Sequence, residues 1–194
     1  MASYYLQYAD ELHSFFLGAI GTWRGKELPM PEIMDIWIDE TRKGALSGNR
    51  FFFAGNGASA TMAEHMGFDS LQNAHLKTVN FSETSYLTAI SNDLSFEDVF
   101  LVKLQRFAEE GDTLVTISSS GNSPNVVKAL EYARKHGIHT VTLSGMKTDN
   151  KSRRLGDLAI WVPATTYGVA ESVHSAILHC WLDMYLERYF GGRH

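Results

Sequence analysis

The chain has 194 residues, of which 44% are hydrophobic and 20% charged, and its formal net charge is −5 at pH 7. This length fits one domain with a core of its own, over residues 1–194. The acidic balance argues against a nucleic-acid partner, and the short basic run at residues 151–154 is expected to be a solvated helix end. No apolar run approaches the roughly 20 residues of a membrane span, so no membrane partner is expected. Cys180 is the single cysteine and the first residues lack the basic segment of a signal peptide, so a cytoplasmic protein is predicted.

Two amphipathic helices are predicted first, over residues 3–21 and 31–47, because apolar side chains recur there at helical spacing. Pro29 and Pro31 separate them. Residues 1–48 are therefore expected to form a helical N-terminal part that serves packing or oligomerisation.

From residue 50 onward, short apolar strands alternate with helices. The predicted strands read RFFFAG, KTVNF, TLVTIS, IHTVTL and LAIWV. The helices are predicted at about 58–73, 96–109, 123–136 and 169–190. Uniformly apolar short strands between helices are typical of a parallel sheet covered on both faces. The predicted fold is therefore α/β, a three-layer αβα sandwich with a five-stranded parallel sheet over residues 49–194, preceded by the two leading helices.

Small polar residues follow the first and third predicted strands, where ligands of such sheets bind. Residues 55–60 read GNGASA and residues 118–123 read SSSGNS, and a polar loop is predicted at 91–93. A helix N-terminus with free N–H groups and added hydroxyls can hold a phosphate without Lys or Arg. We expect such a phosphate site at Ser118, Ser119, Ser120 and Ser123. Serines at a strand–helix junction also act as ordinary N-caps, although four within six residues exceed that need.

Four titratable residues form a candidate metal set. His65 and Asp69 share one face of a helix, and Glu171 and His179 lie on the last helix. Two imidazoles and two carboxylates are a plausible Zn²⁺ ligand set, although a His–Asp pair is also common at surfaces and a His on an apolar helix is often a core residue. Eight residues span about 12 Å of a straight helix. One ion can therefore bind both Glu171 and His179 only if the helix starts late or bends, or if a second subunit supplies one of them.

Three motifs together resemble the sugar isomerase (SIS) domain: GNGASATMAEH, ISSSGNSPNVVKAL and ESVHSAILH. More narrowly they resemble phosphoheptose isomerases, which convert sedoheptulose 7-phosphate into D-glycero-D-manno-heptose 7-phosphate. The resemblance runs over essentially the whole chain. It implies a flavodoxin-like αβα fold, a phosphosugar substrate, and a homotetramer whose active sites lie between subunits.

The resemblance also implies roles for individual residues. One Zn²⁺ per subunit would be held by His65, Asp69, Glu171 and His179. The acid/base pair of an enediol isomerisation would be Asp69 and His179. Substrate would be bound by Asn56, Gly57, Ser59, Asp93, Ser118, Ser119, Ser120, Ser123 and Glu171. The family has Glu and Gln where this chain has Asp69 and Glu171, so one carboxylate is shortened and one amide becomes an anion.

Two other functions stay open on the sequence. A non-catalytic SIS module could bind a phosphosugar or a protein partner, as a relative that associates with the replication initiator does; that relative lacks the residue matching His179, whose presence favours an enzyme. An isomerase of another ketose phosphate is also consistent, because residues 167–170 lack the Asp and Arg that the family usually has there. His174, on the helix of His179, is open to a supporting role.

Overall fold

The computed structural model describes residues 3–192. Its helices are α1 (Tyr4–Leu17), α2 (Met30–Ser47), α3 (Ala58–Ala74), α4 (Thr84–Asp93), α5 (Leu101–Phe107), α6 (Pro124–Lys135), α7 (Lys151–Leu155) and α8 (Tyr167–Phe190), with a 3-10 turn at Phe96–Asp98. Its strands are β1 (Ile20–Trp23), β2 (Lys26–Leu28), β3 (Arg50–Gly55), β4 (Lys77–Val79), β5 (Thr113–Ser118), β6 (His139–Gly145) and β7 (Leu158–Val162). Among the described residues, no helix combines the length and apolar character that a bilayer crossing requires.

The strands form one sheet in the order β2-β1-β7-β6-β5-β3-β4. The five strands predicted from the sequence are β3 to β7, and they run parallel to one another. The hairpin β1–β2 extends the sheet beyond β7 with antiparallel pairing. The prediction of a parallel α/β sheet is confirmed, whereas the strand count of five is wrong, because the described residues form seven.

The hairpin replaces the end of the helix that was predicted over residues 3–21. Its two turn residues, Arg24 and Gly25, have φ values of +48° and +80°, as two-residue hairpin turns require. Helix α2 packs directly on β1 at Gly21, where a Cβ would overlap the side chain of Ile33. The N-terminal part is thus a helix, a hairpin and a helix, and the hairpin belongs to the sheet.

Two local predictions between β4 and β5 also need correction. Residues 91–93, predicted as a polar loop, form the last turn of α4, a helix without a buried residue. The helix predicted over 96–109 is divided into the 3-10 turn and α5. The first error comes from the polar sequence Ser91–Asp93, which resembles a loop. In the second, Val99, Phe100 and Leu104 are buried, so the apolar pattern runs across the point where the 3-10 turn gives way to α5.

Strand β3 shows how the sheet separates two core layers. Phe51 and Phe53 pack into the layer of α2, α3 and α8. Phe52 and Ala54 point to the other face, into the layer of α5 and α6. This alternation gives a strand that is apolar throughout because both of its faces are covered. The predicted αβα sandwich is therefore confirmed.

Candidate active site

A cavity of about 150 Å³ lies at the carboxyl edge of the sheet, where the chain leaves β3 and β5. These two strands are direct neighbours in the sheet, so the loops that follow them meet. The cavity is lined by Asn56, Ser59, Ile117, Ser118, Ser119, Ser120, Ser123, Tyr167 and Glu171. We call it the serine cavity. It brings together all four serines of the predicted phosphate site.

The serine hydroxyls are arranged for a ligand more than for capping. Ser123 is the N-cap residue of α6, yet its side chain makes no capping hydrogen bond. Its Oγ lies instead 3.3 Å from Ser118 Oγ. The buried hydroxyl of Ser119 has no hydrogen-bond partner among the described residues. Buried hydroxyls normally form hydrogen bonds. The free hydroxyl of Ser119 and the N–H groups at the helix N-terminus could therefore both donate to an anion.

The loop after β3 is tied to the start of α6 by a pair of amides. Asn56 and Asn125 donate a hydrogen bond to each other through their Nδ2 groups, both at 2.9 Å. Gly57, at φ +57° and ψ −126°, adopts a conformation that suits glycine. Ser59, in the first turn of α3 directly after this loop, also lines the cavity. Asn56 lines the cavity while its amide is already engaged, so it also fixes the shape of the loop.

The serine loop is braced from behind by Asn150. This fully buried residue donates through Nδ2 to Ser144 Oγ at 3.2 Å and to Lys147 O at 2.9 Å. Gly121, at φ +63°, packs so closely that a Cβ would overlap Asn150 Oδ1. The backbone N–H of Ser152 donates to Gly121 O at 2.9 Å. The segment after β6 therefore holds the serine loop in position.

His174 supports this end of the sheet without lining the cavity. Its imidazole is fully buried, and Nε2 lies 3.0 Å from the carbonyl oxygen of Ser144. A carbonyl only accepts, so the ring proton is on Nε2. Burial lowers the pKa of His174 to about 4, against the opposing effect of that hydrogen bond. His174 is therefore neutral near pH 7 and has a structural role.

A second group of polar side chains lies where α3 packs beside α8. His65 Nε2 is 3.2 Å from Asp69 Oδ2, and the imidazole centroids of His65 and His179 are 5.4 Å apart. One ligand atom from each of the three residues lies within 4.8 Å of the other two. We call this the imidazole group. It joins three of the four predicted metal ligands.

The imidazole group fits a zinc ion in its chemistry and spacing. Two imidazole nitrogens and one carboxylate oxygen are donors found in catalytic zinc sites with three protein ligands and one open position. Ligand atoms on one tetrahedral zinc are roughly 3.3 Å apart, given bond lengths near 2 Å. A spread of 4.8 Å is close enough for side-chain rotation to complete the site.

Two predicted site residues lie elsewhere. Helix α8 already begins at Tyr167, so Glu171 and His179 are separated by about 12 Å of continuous helix. Glu171 lines the serine cavity instead and carries the one formal charge among its lining residues. Asp93 ends α4, accepts a hydrogen bond from Asn92 Nδ2 at 2.9 Å, and is not part of the cavity lining.

Comparison with known proteins identifies the family. A family model described as SIS domain matches residues 40–145. The phosphoheptose isomerase of Pelobacter propionicus is 34% identical over 161 residues, which cover 80% of this chain and 85% of that protein. The phosphoheptose isomerase of Chromohalobacter salexigens is 32% identical over 170 residues, which cover 84% and 86%. The chain belongs to the phosphoheptose isomerase family of SIS domains.

Solved structures agree with this SIS domain in fold. A phosphoheptose isomerase from Francisella tularensis superposes with a TM-score of 0.80 at 21% identity and covers 94% of each chain. The enzyme from Neisseria gonorrhoeae gives a TM-score of 0.76 at 24% identity and covers 93% of this chain and 91% of its own. The relatives at 32% and 34% identity confirm the family predicted from three short motifs, and the solved structures confirm its fold.

Sequence reasoning missed three residues that shape the site of this SIS domain. Tyr167 lines the serine cavity, and its place just beyond β7 is the signal that could have identified it. Asn125, buried in the first turn of α6, is the partner of Asn56. Asn150 follows β6 in a loop whose composition gives no sign that it packs against the serine loop.

Proposed function

We propose that this SIS domain is a phosphosugar ketose–aldose isomerase that converts sedoheptulose 7-phosphate into D-glycero-D-manno-heptose 7-phosphate. The observation that supports this most is the convergence of His65, Asp69 and His179 in a chain whose relatives at 34% identity are phosphoheptose isomerases. An imidazole–carboxylate group beside a hydroxyl-lined cavity supplies both proton transfer and phosphate binding.

In this proposal the serine cavity holds the phosphate. The unpartnered hydroxyl of Ser119 and the hydroxyls of Ser118 and Ser123 donate to its oxygens, together with backbone N–H groups at the start of α6. Ser120, Ser59 and the loop of Asn56 and Gly57 complete the cradle or contact sugar hydroxyls. Binding energy from the remote phosphate then aligns the reacting end of the sugar.

Asp69 and His179 move the protons. Ketose–aldose isomerisation transfers a proton between C1 and C2 through a cis-enediol, which requires a base, an acid and stabilisation of the oxyanion. A carboxylate and an imidazole in one group can divide the first two tasks between them. His65, 3.2 Å from Asp69, orients that carboxylate.

We further propose one Zn²⁺ per subunit, held by His65, Asp69 and His179. When bound, the ion would polarise the substrate carbonyl and stabilise negative charge on its oxygen. Glu171 could join these ligands only from a second subunit, since its own helix carries it into the serine cavity. Within one chain we assign Glu171 to contacts with sugar hydroxyls. The same role for Asp93, which lies outside the cavity lining, stays a prediction.

A homotetramer with active sites between subunits is the assembly we propose. Helix α1 contains no buried residue, and Tyr4 and Tyr5 on it are 80% and 78% exposed. Beside the imidazole group, Phe68 and Leu71 on α3 are 59% and 51% exposed. Exposed apolar patches mark interfaces, and an interface at Phe68 and Leu71 would border the imidazole group, since both lie on the helix of His65 and Asp69. The cytoplasmic location stays a prediction.

Turnover of sedoheptulose 7-phosphate by point variants tests the isomerase proposal. We expect His179→Gln and Asp69→Asn each to lower kcat/KM by at least roughly 100-fold, because each removes an acid/base group. The matched control is His139→Gln, which changes an exposed histidine at the start of β6 and should leave turnover unchanged. Wild-type chain that binds the sugar phosphate tightly but does not convert it would contradict the proposal and favour a binding module.

Elemental analysis of the same preparations tests the zinc proposal separately. Wild type and His139→Gln are expected to carry about one zinc per chain, and His179→Gln to lose it, since three protein ligands hold a catalytic zinc. Equal zinc content in all three proteins would exclude the imidazole group as its site.

A further inference from the structure

A second polar groove lies between the β1–β2 hairpin and α7. It has a volume of about 600 Å³, within the range of roughly 300–1,000 Å³ that is usual for small-ligand sites. Its charged lining residues are Arg24, Arg134, Arg153, Arg154, Glu27 and Asp157. We call it the arginine groove.

The arginine groove is at the opposite edge of the sheet from the serine cavity. Trp23 pairs with Leu158, the first residue of β7, so the hairpin turn lies where the parallel strands begin. Thr22 and Glu27, which are cross-strand partners, belong to the hairpin side of the groove. A ligand there would not compete for the groups that we assign to the isomerisation.

Three of the four arginines have no carboxylate partner within ion-pair distance in the described part of the chain. The exception is Arg154, which pairs with Asp149. Arg134 Nη1 donates to the carbonyl oxygens of Arg154, at 3.1 Å, and Leu155, at 3.4 Å, which leaves its other N–H groups available. Arginines without a counter-ion are donors for an external anion.

Aromatic rings hold two of these guanidinium groups. Arg153 lies over the ring of Trp161, with Cζ 5.1 Å from the centroid. Arg24 lies over Trp23 at 4.8 Å. Such stacking restricts the side chains and lowers the entropy lost when they bind a ligand. The basic run at residues 151–154 is thus more than a solvated helix end, because Arg153 is half-buried against Trp161.

The turn itself gives no reason for an arginine at position 24. Arg24 has φ +48°, and the first position of such a two-residue turn favours Asn, Asp or Gly. An arginine here costs backbone energy that the turn does not require. Its place in the lining of the groove is the feature that remains to be explained.

The charge of the groove selects an anion with more than one negative charge. Four arginines and two carboxylates leave a formal charge of +2 in the lining, in a chain whose total is −5. One of the carboxylates, Asp157, is engaged already, since its Oδ2 accepts from the backbone N–H and the hydroxyl of Thr140, both at 2.9 Å. Glu27 makes no such hydrogen bond in the described part of the chain, so its charge opposes an anion more directly than that of Asp157.

We propose that the arginine groove binds a small anion carrying two phosphoryl groups, at a site separate from the serine cavity. Guanidinium forks donate two N–H groups at once to phosphoryl oxygens. Arginines on the hairpin, on α6 and on α7 surround the ligand from three sides, which suits a diphosphate group better than a single phosphate.

Calorimetric titration with inorganic pyrophosphate tests this proposal on the intact chain. We expect the double variant Arg24→Gln/Arg153→Gln to bind pyrophosphate at least about tenfold more weakly, through loss of two charge-assisted contacts. Glu27→Gln should bind roughly threefold or more tightly, because it removes the opposing charge. A gain of affinity cannot result from a failure to fold.

A serine-cavity variant distinguishes the two anion sites. Ser119→Ala/Ser123→Ala is expected to keep its affinity for pyrophosphate, and the arginine variant to keep its turnover of sedoheptulose 7-phosphate. The proposal is overturned if the arginine variant binds pyrophosphate as wild type does, or if the serine variant is the one that loses binding.

Discussion

Glu171 is the residue of the serine cavity that is least expected in a phosphate site, because it places a negative charge there. The side chains that line the serine cavity carry five hydroxyls, one amide, one phenol, one aliphatic group and this single carboxylate. The resemblance to phosphoheptose isomerases implies a neutral Gln at this position. A carboxylate near a phosphate is repulsive, so it must be offset by contacts to sugar hydroxyls if it assists binding.

Glu171→Gln separates these two effects. We expect the inhibition constant of inorganic phosphate to fall roughly three- to tenfold, because a like charge is removed, while KM for the sugar phosphate changes less or rises. Glu131→Gln, which removes the same charge from an exposed site on α6, serves as control. Weaker inhibition by phosphate in Glu171→Gln would contradict this account of the cavity.

His174 should make stability depend on pH. The folded protein keeps the pKa of this imidazole near 4, below its ordinary value of 6.5, so the unfolded chain takes up the proton first as the pH falls. Stability is therefore full above pH 6.5 and is lost toward pH 4. We expect the free energy of unfolding to fall by about 2 kcal/mol between pH 7 and pH 5 from this side chain.

Urea unfolding at the two pH values measures that effect. His174→Gln should show a loss that is smaller by the same amount, whatever its stability at pH 7. His139→Gln, at an exposed position, should show the wild-type loss. Identical pH dependence in all three proteins would mean that His174 does not carry it.

At the scale of elements, the serine loop depends on its packing against the segment after β6. Gly121→Ala would place a methyl group on Asn150 at a backbone conformation that already disfavours side chains. Gly191 provides a matched control, because it has φ +80° and open space around it. We expect Gly191→Ala to cost about 1 kcal/mol and Gly121→Ala about 2 kcal/mol more.

Urea unfolding gives the two costs, and the inhibition constant of inorganic phosphate reports the shape of the loop. Gly121→Ala should weaken inhibition by phosphate, and Gly191→Ala should not. Equal costs in the two variants would show that the contact with Asn150 does not restrain the loop.

The elements that the sequence predicted well are those with a uniform environment. Strands β3 to β7 are apolar because helices cover both faces. The sequence shows this as uninterrupted apolar runs such as RFFFAG and LAIWV. The β1–β2 hairpin has strands of four and three residues, which are too short to show the alternation of apolar and polar residues typical of a strand. Its pairing with β7 joins residues that are far apart in the sequence. Helix α4 has no fully buried residue and packs on the core through Leu87 and Ile90 only, so its hydrophobic period is too short to predict a helix.

In the candidate site, the sequence predicted what depends on local spacing along a helix but not what depends on packing between helices. His65 and Asp69 are one helical turn apart, so their proximity follows from local geometry. The approach of His179 depends on the packing of α3 against α8, and the resemblance to the family was needed to connect them. Helical rise alone argued that Glu171 is too far from His179 for one ion, and the continuous helix α8 agrees with that argument.

At the scale of the whole molecule, the exposed apolar residues near the imidazole group predict assembly. We expect light scattering to give about four times the chain mass of 21.7 kDa, and Phe68→Ser/Leu71→Ser to give a smaller species, because these side chains are exposed in a single chain. Leu46→Ser alters an exposed leucine on α2 and should keep the wild-type mass. A wild-type monomer would exclude the proposed homotetramer.

Helices α3 and α8 carry both halves of the candidate site. Each contributes to the serine cavity near its start, through Ser59 and Glu171, and to the imidazole group farther along, through His65 and His179. The spacing between the halves, roughly 9–12 Å along the helix axes, is set by backbone hydrogen bonds and not by mobile loops. Under the proposed function, this helix pair fixes the distance between the phosphate site and the reacting groups, and so the length of sugar that can bridge them. A ketose phosphate with fewer carbons could fill the cavity without reaching the imidazoles, so the fold would select its substrate by the distance from phosphate to carbonyl.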